Sequence, residues 1–136
     1  MIEGVAAGAA AVLATLAAVH VYWALGGHRG GSAVIPTVEG RPMIAPGPAA
    51  TFVVAGLLTV SAVLLVGGGV GWSPRVVFRA GCGGVAVVLL ARAVGDGRWI
   101  GFSKRVRDTA FARRDTRLYS PLCLVLGVAA AAVSIA

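Results

Sequence analysis

The sequence predicts an all-α integral membrane protein: four transmembrane helices, with a short interfacial helix between the third and fourth. Three observations lead there. Hydrophobic residues make up 58% of the 136-residue chain and mean hydropathy is +0.90, while charged residues make up only 12%. That is too little polarity to cover a water-soluble fold of this size. The apolar residues gather into runs long enough to cross ~30 Å of hydrocarbon. The charges gather between the runs: the stretch from Arg92 to Leu124 holds eight of the twelve Lys and Arg residues and three of the five acids. In lipid the backbone must bond to itself, so such runs become helices. The period-two alternation of a membrane barrel is missing. The length allows one domain, residues 1–136.

The first span runs from about Gly4 to Leu25. It resembles a signal peptide only superficially. Glu3 stands where a positive leader would start, and the run ends in His20, Tyr22 and Trp23, so a retained helix is expected. Trp23 and Tyr22 suit the membrane–water boundary. Gly4 and Gly8 form a small-xxx-small pair of the kind that lets helices approach closely. Gly26 to Pro48 is a connection in which Pro36, Pro42, Pro46 and Pro48 forbid a long helix. It is longer than most connections. Its apolar patches, Ala33-Val34-Ile35 and Met43-Ile44-Ala45, suggest folding back on the helix ends, with a loose surface loop as the alternative.

A second span, about Ala49 to Val66, leads into the turn GGGVGWSP, which lacks the context of a nucleotide-binding loop. A third covers about Arg75 to Gly95, and a fourth Tyr119 to Ala136. Between the last two, Trp99, Phe102, Val106 and Ala110 recur at helical spacing, with Lys104, Arg105, Arg107 and Asp108 on the other faces. That pattern predicts a short helix in the headgroup layer.

Arginine placement orients the chain. Arg29, Arg41, Arg98, Lys104, Arg105, Arg107, Arg113, Arg114 and Arg117 belong to the two long connections, against Arg75 and Arg79 on the other side. The positive-inside bias puts both connections in the cytoplasm and both termini outside, in a plasma membrane. The net charge of +7 therefore points to membrane lipids as partners. Nucleic acid is not expected, because no base-reading or phosphate-reading fold accompanies the charge. The preponderance of Arg over Lys, with the Ala, Gly and Val excess, suggests a GC-rich bacterial source.

Candidate chemistry lies at the cytoplasmic side. Arg92 and Asp96 are one helical turn apart and predict a pair. Ionisable groups within a span point inward, toward a partner or a cavity. His20 sits roughly 9 Å inside the end of the first helix, close to the depth of Arg92. His20, Arg92, Asp96 and Tyr119 thus form one expected polar layer, with Asp115 as a further member. Trp23 and Arg98 join it as ligand-binding candidates. His20, Asp96 and Asp115 are the candidates for acid–base work. The structural alternative has His20 bonding a neighbouring helix, Arg92 reaching for phosphates and Asp96 capping a helix end. No metal or cofactor is expected, since the two His and two Cys share no ligand spacing. Cys82 and Cys123 are expected on the order of 15 Å apart along the bundle, which forbids a disulfide.

The blocks HVYWALGG (His20 to Gly27), RAVGDGRWIGFSK (Arg92 to Lys104) and DTAFARRDTRLYSPLCL (Asp108 to Leu124) resemble a family of small bacterial membrane proteins known as domain of unknown function 3995. The blocks cover most of the chain's polar part. Where the family pattern typically reads GFFK, Ser103 replaces the second Phe. The resemblance implies the fold and the residues that matter, and implies no activity.

The expected function is binding of a small or lipidic ligand, with an anionic group beside Arg92, in a polar pocket at the cytoplasmic face. Two alternatives differ in class. One is a membrane-embedded acid–base enzyme such as an isomerase or cyclase. The other is an accessory subunit whose basic face docks a partner membrane protein. A transporter lacks a continuous polar path unless the chain forms a homo-oligomer. A cavity enclosed by the polar layer favours ligand or enzyme, and an exposed apolar helix face favours the subunit.

Overall fold

In the computed structural model, which describes all 136 residues, four long helices cover the apolar runs. They are α1 (Ile2–Ala24), α2 (Pro48–Val70), α3 (Arg75–Val94) and α4 (Ala110–Ile135). All four are long and apolar enough to cross a bilayer, and the protein is a multi-pass integral membrane protein. The helices alternate in direction. Gly69 near the end of α2 lies against Ala6 near the start of α1, and Gly127 of α4 lies against Leu90 of α3. The most extensive packing joins α1 to α2 and α3 to α4.

The core is made of small residues. On α1 the buried stripe Ala6, Ala9, Ala10, Leu13 and Ala17 recurs at helical spacing, and it meets Ala62 and Leu65, Cys82 and Ala86, and Leu126, Ala130 and Val133 from the other helices. Lipid tails are as apolar as Leu, so helices associate through close packing rather than expulsion of water. The predicted Gly4–Gly8 contact is not used: space above both glycines is open. Close approach occurs elsewhere. Side chains at Gly67 and Gly68 would strike Phe78, Cys82 and Val133.

That packing explains one departure from expectation. The run Gly67–Gly69, read as a turn, continues α2 to Val70, and the helix ends at Gly71 with φ +71°. At the other end α2 begins a residue early, with Pro48 in its first turn.

The larger departure concerns α4. It starts at Ala110 rather than Tyr119, capped by the Thr109 hydroxyl, which accepts from the Ala112 N–H at 3.0 Å. A π-helical turn spans Asp115–Tyr119. The interfacial helix expected across Trp99, Phe102 and Val106 is not formed. Residues 95–109 make turns instead, because Gly95, Gly97 and Gly101 take φ of +93°, +74° and +78°. Ala110, read as its last apolar position, is the first residue of α4.

The first connection is ordered. A short 3₁₀ turn covers Gly31–Ala33, and a two-residue hairpin pairs β1 (Thr37–Val38) with β2 (Arg41–Pro42). The hairpin turns at Glu39 and Gly40, both at positive φ as a tight hairpin requires. Its first apolar patch, Ala33 to Ile35, is half-buried as the fold-back reading expects, while Met43 to Ala45 stays exposed.

Candidate functional site

Polar side chains concentrate at the end of the bundle where α1 and α3 finish and α2 and α4 begin, and they divide into two groups there. The first is an ionic knot around Asp115. Its side chain is fully buried, and four donors converge on it. Arg92 Nη2 donates to Oδ1 at 2.8 Å, while Gly101 N, Lys104 Nζ and Ser120 Oγ donate to Oδ2 at 2.8, 2.9 and 3.0 Å. Lys104 Nζ also donates to the Gly101 carbonyl at 2.8 Å. The π-helical turn has a role here. Bonding at i→i+5 widens the turn, bringing residues five apart, Asp115 and Ser120, to one inward face.

The expected Arg92–Asp96 pair is therefore replaced by Arg92–Asp115. Asp96 lies just beyond the end of α3, where Gly95 has already turned the chain, so its carboxylate faces forward along the loop. Oδ1 accepts the N–H groups of Arg98, Trp99 and Ile100 at 2.8, 2.7 and 3.0 Å. Those bonds, Ile100 foremost and then Arg98 and Trp99, hold its carboxyl below the usual aspartate range. Asp96 caps a turn, where the structural alternative had it capping a helix end.

Ser103 stitches the same turn: its hydroxyl donates to the Val94 carbonyl at 2.7 Å and accepts from Gly97 N–H at 3.1 Å. Gly101 cannot carry a side chain, which would collide with the backbone of Gly95. One nitrogen of Arg92, Nη1, is buried without a partner. Lys104, read as part of a charged outer face, is 2% exposed. The available signal was that it is the one lysine among eleven arginines.

The second group lines an open recess of about 810 Å³ between α1, α2 and the first connection. His20 and Trp23 form its α1 wall; Ser32, Thr37, Thr51 and Val54 are among the residues opposite. His20 Nδ1 lies 2.7 Å from the Leu16 carbonyl. A carbonyl only accepts, so in the neutral ring Nδ1 carries the proton and Nε2 is left as an acceptor. Trp23 meets His20 edge-on at 5.1 Å, and its Nε1 donates to the Arg29 carbonyl at 2.8 Å. That bond folds the connection over the helix end. No lysine or arginine lines the recess.

The remaining predicted residues fall between or outside the two groups. Tyr119 bridges them: its hydroxyl donates to the Ala33 carbonyl at 3.1 Å, tying α4 to the first connection. Arg98 is exposed, with its guanidinium 5.1 Å from the centre of the Trp99 ring. His20, Arg92, Asp96 and Tyr119 thus share one end of the bundle without forming one layer. Cys82 and Cys123 are free thiols, as expected. No three potential ligands gather to hold a metal. At the opposite end a smaller hollow of about 220 Å³ lies beside Gly67–Gly71, Trp72, Arg75 and Arg79, below the ~300 Å³ at which small-molecule sites begin.

Comparison with curated proteins and with solved structures returns no match. A family model does match, over residues 13–130, from the middle of α1 to the far part of α4, and both polar groups fall within it. The chain belongs to that family, described as "Protein of unknown function (DUF3995)".

Proposed function

We propose that the protein is a membrane-embedded binding protein that takes a small amphipathic or lipidic ligand in the recess beside His20 and Trp23. One observation carries this reading: the recess, at about 810 Å³, has the volume of a ligand site and a mixed apolar and polar lining. Its chemistry favours a neutral polar head. No lysine or arginine lines it, and His20 Nε2 offers an acceptor to a hydroxyl or amide. The anionic ligand expected beside Arg92 finds support only in the unpartnered Nη1. The acid–base reading finds less, because Asp115 accepts four hydrogen bonds and Asp96 three.

Mass spectrometry of molecules that co-purify with the protein tests the reading. Wild type is expected to carry an amphiphile that Thr51→Trp, which places a bulky ring in the recess, retains less well. Retention by Thr51→Trp together with loss in Arg92→Gln would move the site to Arg92. We propose further that both long connections are cytoplasmic in a bacterial plasma membrane, from the excess of arginine on that side. A cysteine placed at Gly40 that reacts with an impermeant reagent from outside the cell would overturn this orientation.

A further inference from the structure

We propose that Arg113, Arg114 and Arg117 clamp the phosphate of an anionic phospholipid at the rim of the bundle, a site separate from the recess. All three are exposed on the first turns of α4 and, with Ala110 and Leu118, line a shallow hollow. None has an acidic partner, because both ion pairs of the molecule are made by Asp115. Asp115, the one acid on α4, points inward, and the exposed Asp108 just before the helix meets Arg113 through its backbone carbonyl and forms no ion pair with it.

The three arginines are thus left without an ion pair. Arg113 is held in place by its Nη1, which donates to the Asp108 carbonyl at 3.1 Å, leaving its other N–H groups free. Three guanidiniums suit phosphate, which they bind in forked, two-bond geometry. Position selects the source of that phosphate. The cluster sits on the first turns of a helix long and apolar enough to cross a bilayer, and Leu118, 57% exposed, and Val125, 65% exposed, continue along α4 below it. A phosphodiester with acyl chains satisfies both parts, and a soluble phosphate satisfies only the first.

The test uses the full chain in a neutral detergent and measures binding of phosphatidylglycerol, phosphatidylcholine and inorganic phosphate by native mass spectrometry and thermal shift. Phosphatidylglycerol should bind best, and more weakly as salt rises. R113Q/R114Q/R117Q should weaken that binding by roughly five-fold per arginine removed, while R75Q/R79Q at the opposite end leaves it unchanged. If the triple variant does not fold, each single substitution carries the same roughly five-fold expectation. Equal binding of phosphatidylcholine, inorganic phosphate displacing the lipid at comparable concentration, or unaltered binding in the arginine variants would each overturn the proposal.

Discussion

The knot around Asp115 and the recess beside His20 lie at the same end of the bundle and treat their polar groups in opposite ways. In the knot a buried carboxylate meets two cations, a hydroxyl and a backbone N–H, and both of its oxygens are engaged. In the recess a single hydrogen bond fixes His20 and another fixes Trp23, and the wall between them faces open space. A satisfied charge cluster joins elements rigidly, whereas a sparsely bonded concavity leaves groups for something else to meet. Buried charge and open space therefore do not coincide at this end of the bundle. The buried ion cluster holds α3, α4 and their connection together, and the space lies where no lysine, arginine or acid lines the wall.

The largest effect is expected at Asp115. Asp115→Asn strands Lys104 and Arg92 beside hydrocarbon, and loss of one partner from a buried ion cluster costs about 3–5 kcal/mol. Thermal denaturation in detergent should show the largest fall of any single variant. Gly101→Ala should come next, at about 1–3 kcal/mol, because it forces a side chain into a left-handed position against Gly95. Lys104→Met leaves Arg92 on the carboxylate and keeps an apolar stem of similar length. Its fall should be smaller than that of Asp115→Asn in the same assay.

Acid acts on a carboxylate-bonded turn, that of Asp96. Asp96 lies at the surface with its carboxyl held low by three backbone N–H groups. Its contribution is complete above the unfolded value of about 3.9 and is lost as pH falls through the lowered folded value. Asp96→Asn, which keeps the accepting oxygen, should change stability little at neutral pH and remove that acid-side loss. The smallest expected effect is that of His20→Ala: melting temperature nearly unchanged, with a change in what co-purifies.

Much of this was legible in the chain. The four apolar runs announced the helices, because in lipid a long run has no alternative to a helix. That His20, Arg92 and Tyr119 share one end of the bundle followed from the alternation of the helices, and the single layer expected of them did not form. Three features were not legible. Arg92 can reach Asp96 by spacing alone, but Gly95 at positive φ ends α3 between them, and a turn of that kind does not show in periodicity. Lys104 reads as a surface cation until a buried carboxylate is known to await it. The π-helical turn that aligns Asp115 with Ser120 departs from the spacing by which faces are assigned, so their convergence has no signature at regular helical period. The first connection was half legible: its patch at Ala33 to Ile35 indicated contact, and the recess beneath it depends on a fold of the loop that prolines permit and do not specify.

Two double-mutant cycles, measured by thermal or denaturant unfolding in detergent, decide which acid holds Arg92. Arg92→Gln combined with Asp115→Asn should be less damaging than the sum of the two singles, with a coupling of about 1 kcal/mol or more. Arg92→Gln combined with Asp96→Asn should be additive to within about 0.5 kcal/mol. Coupling in the Asp96 cycle with additivity in the Asp115 cycle would contradict the knot and restore the intrahelical pair.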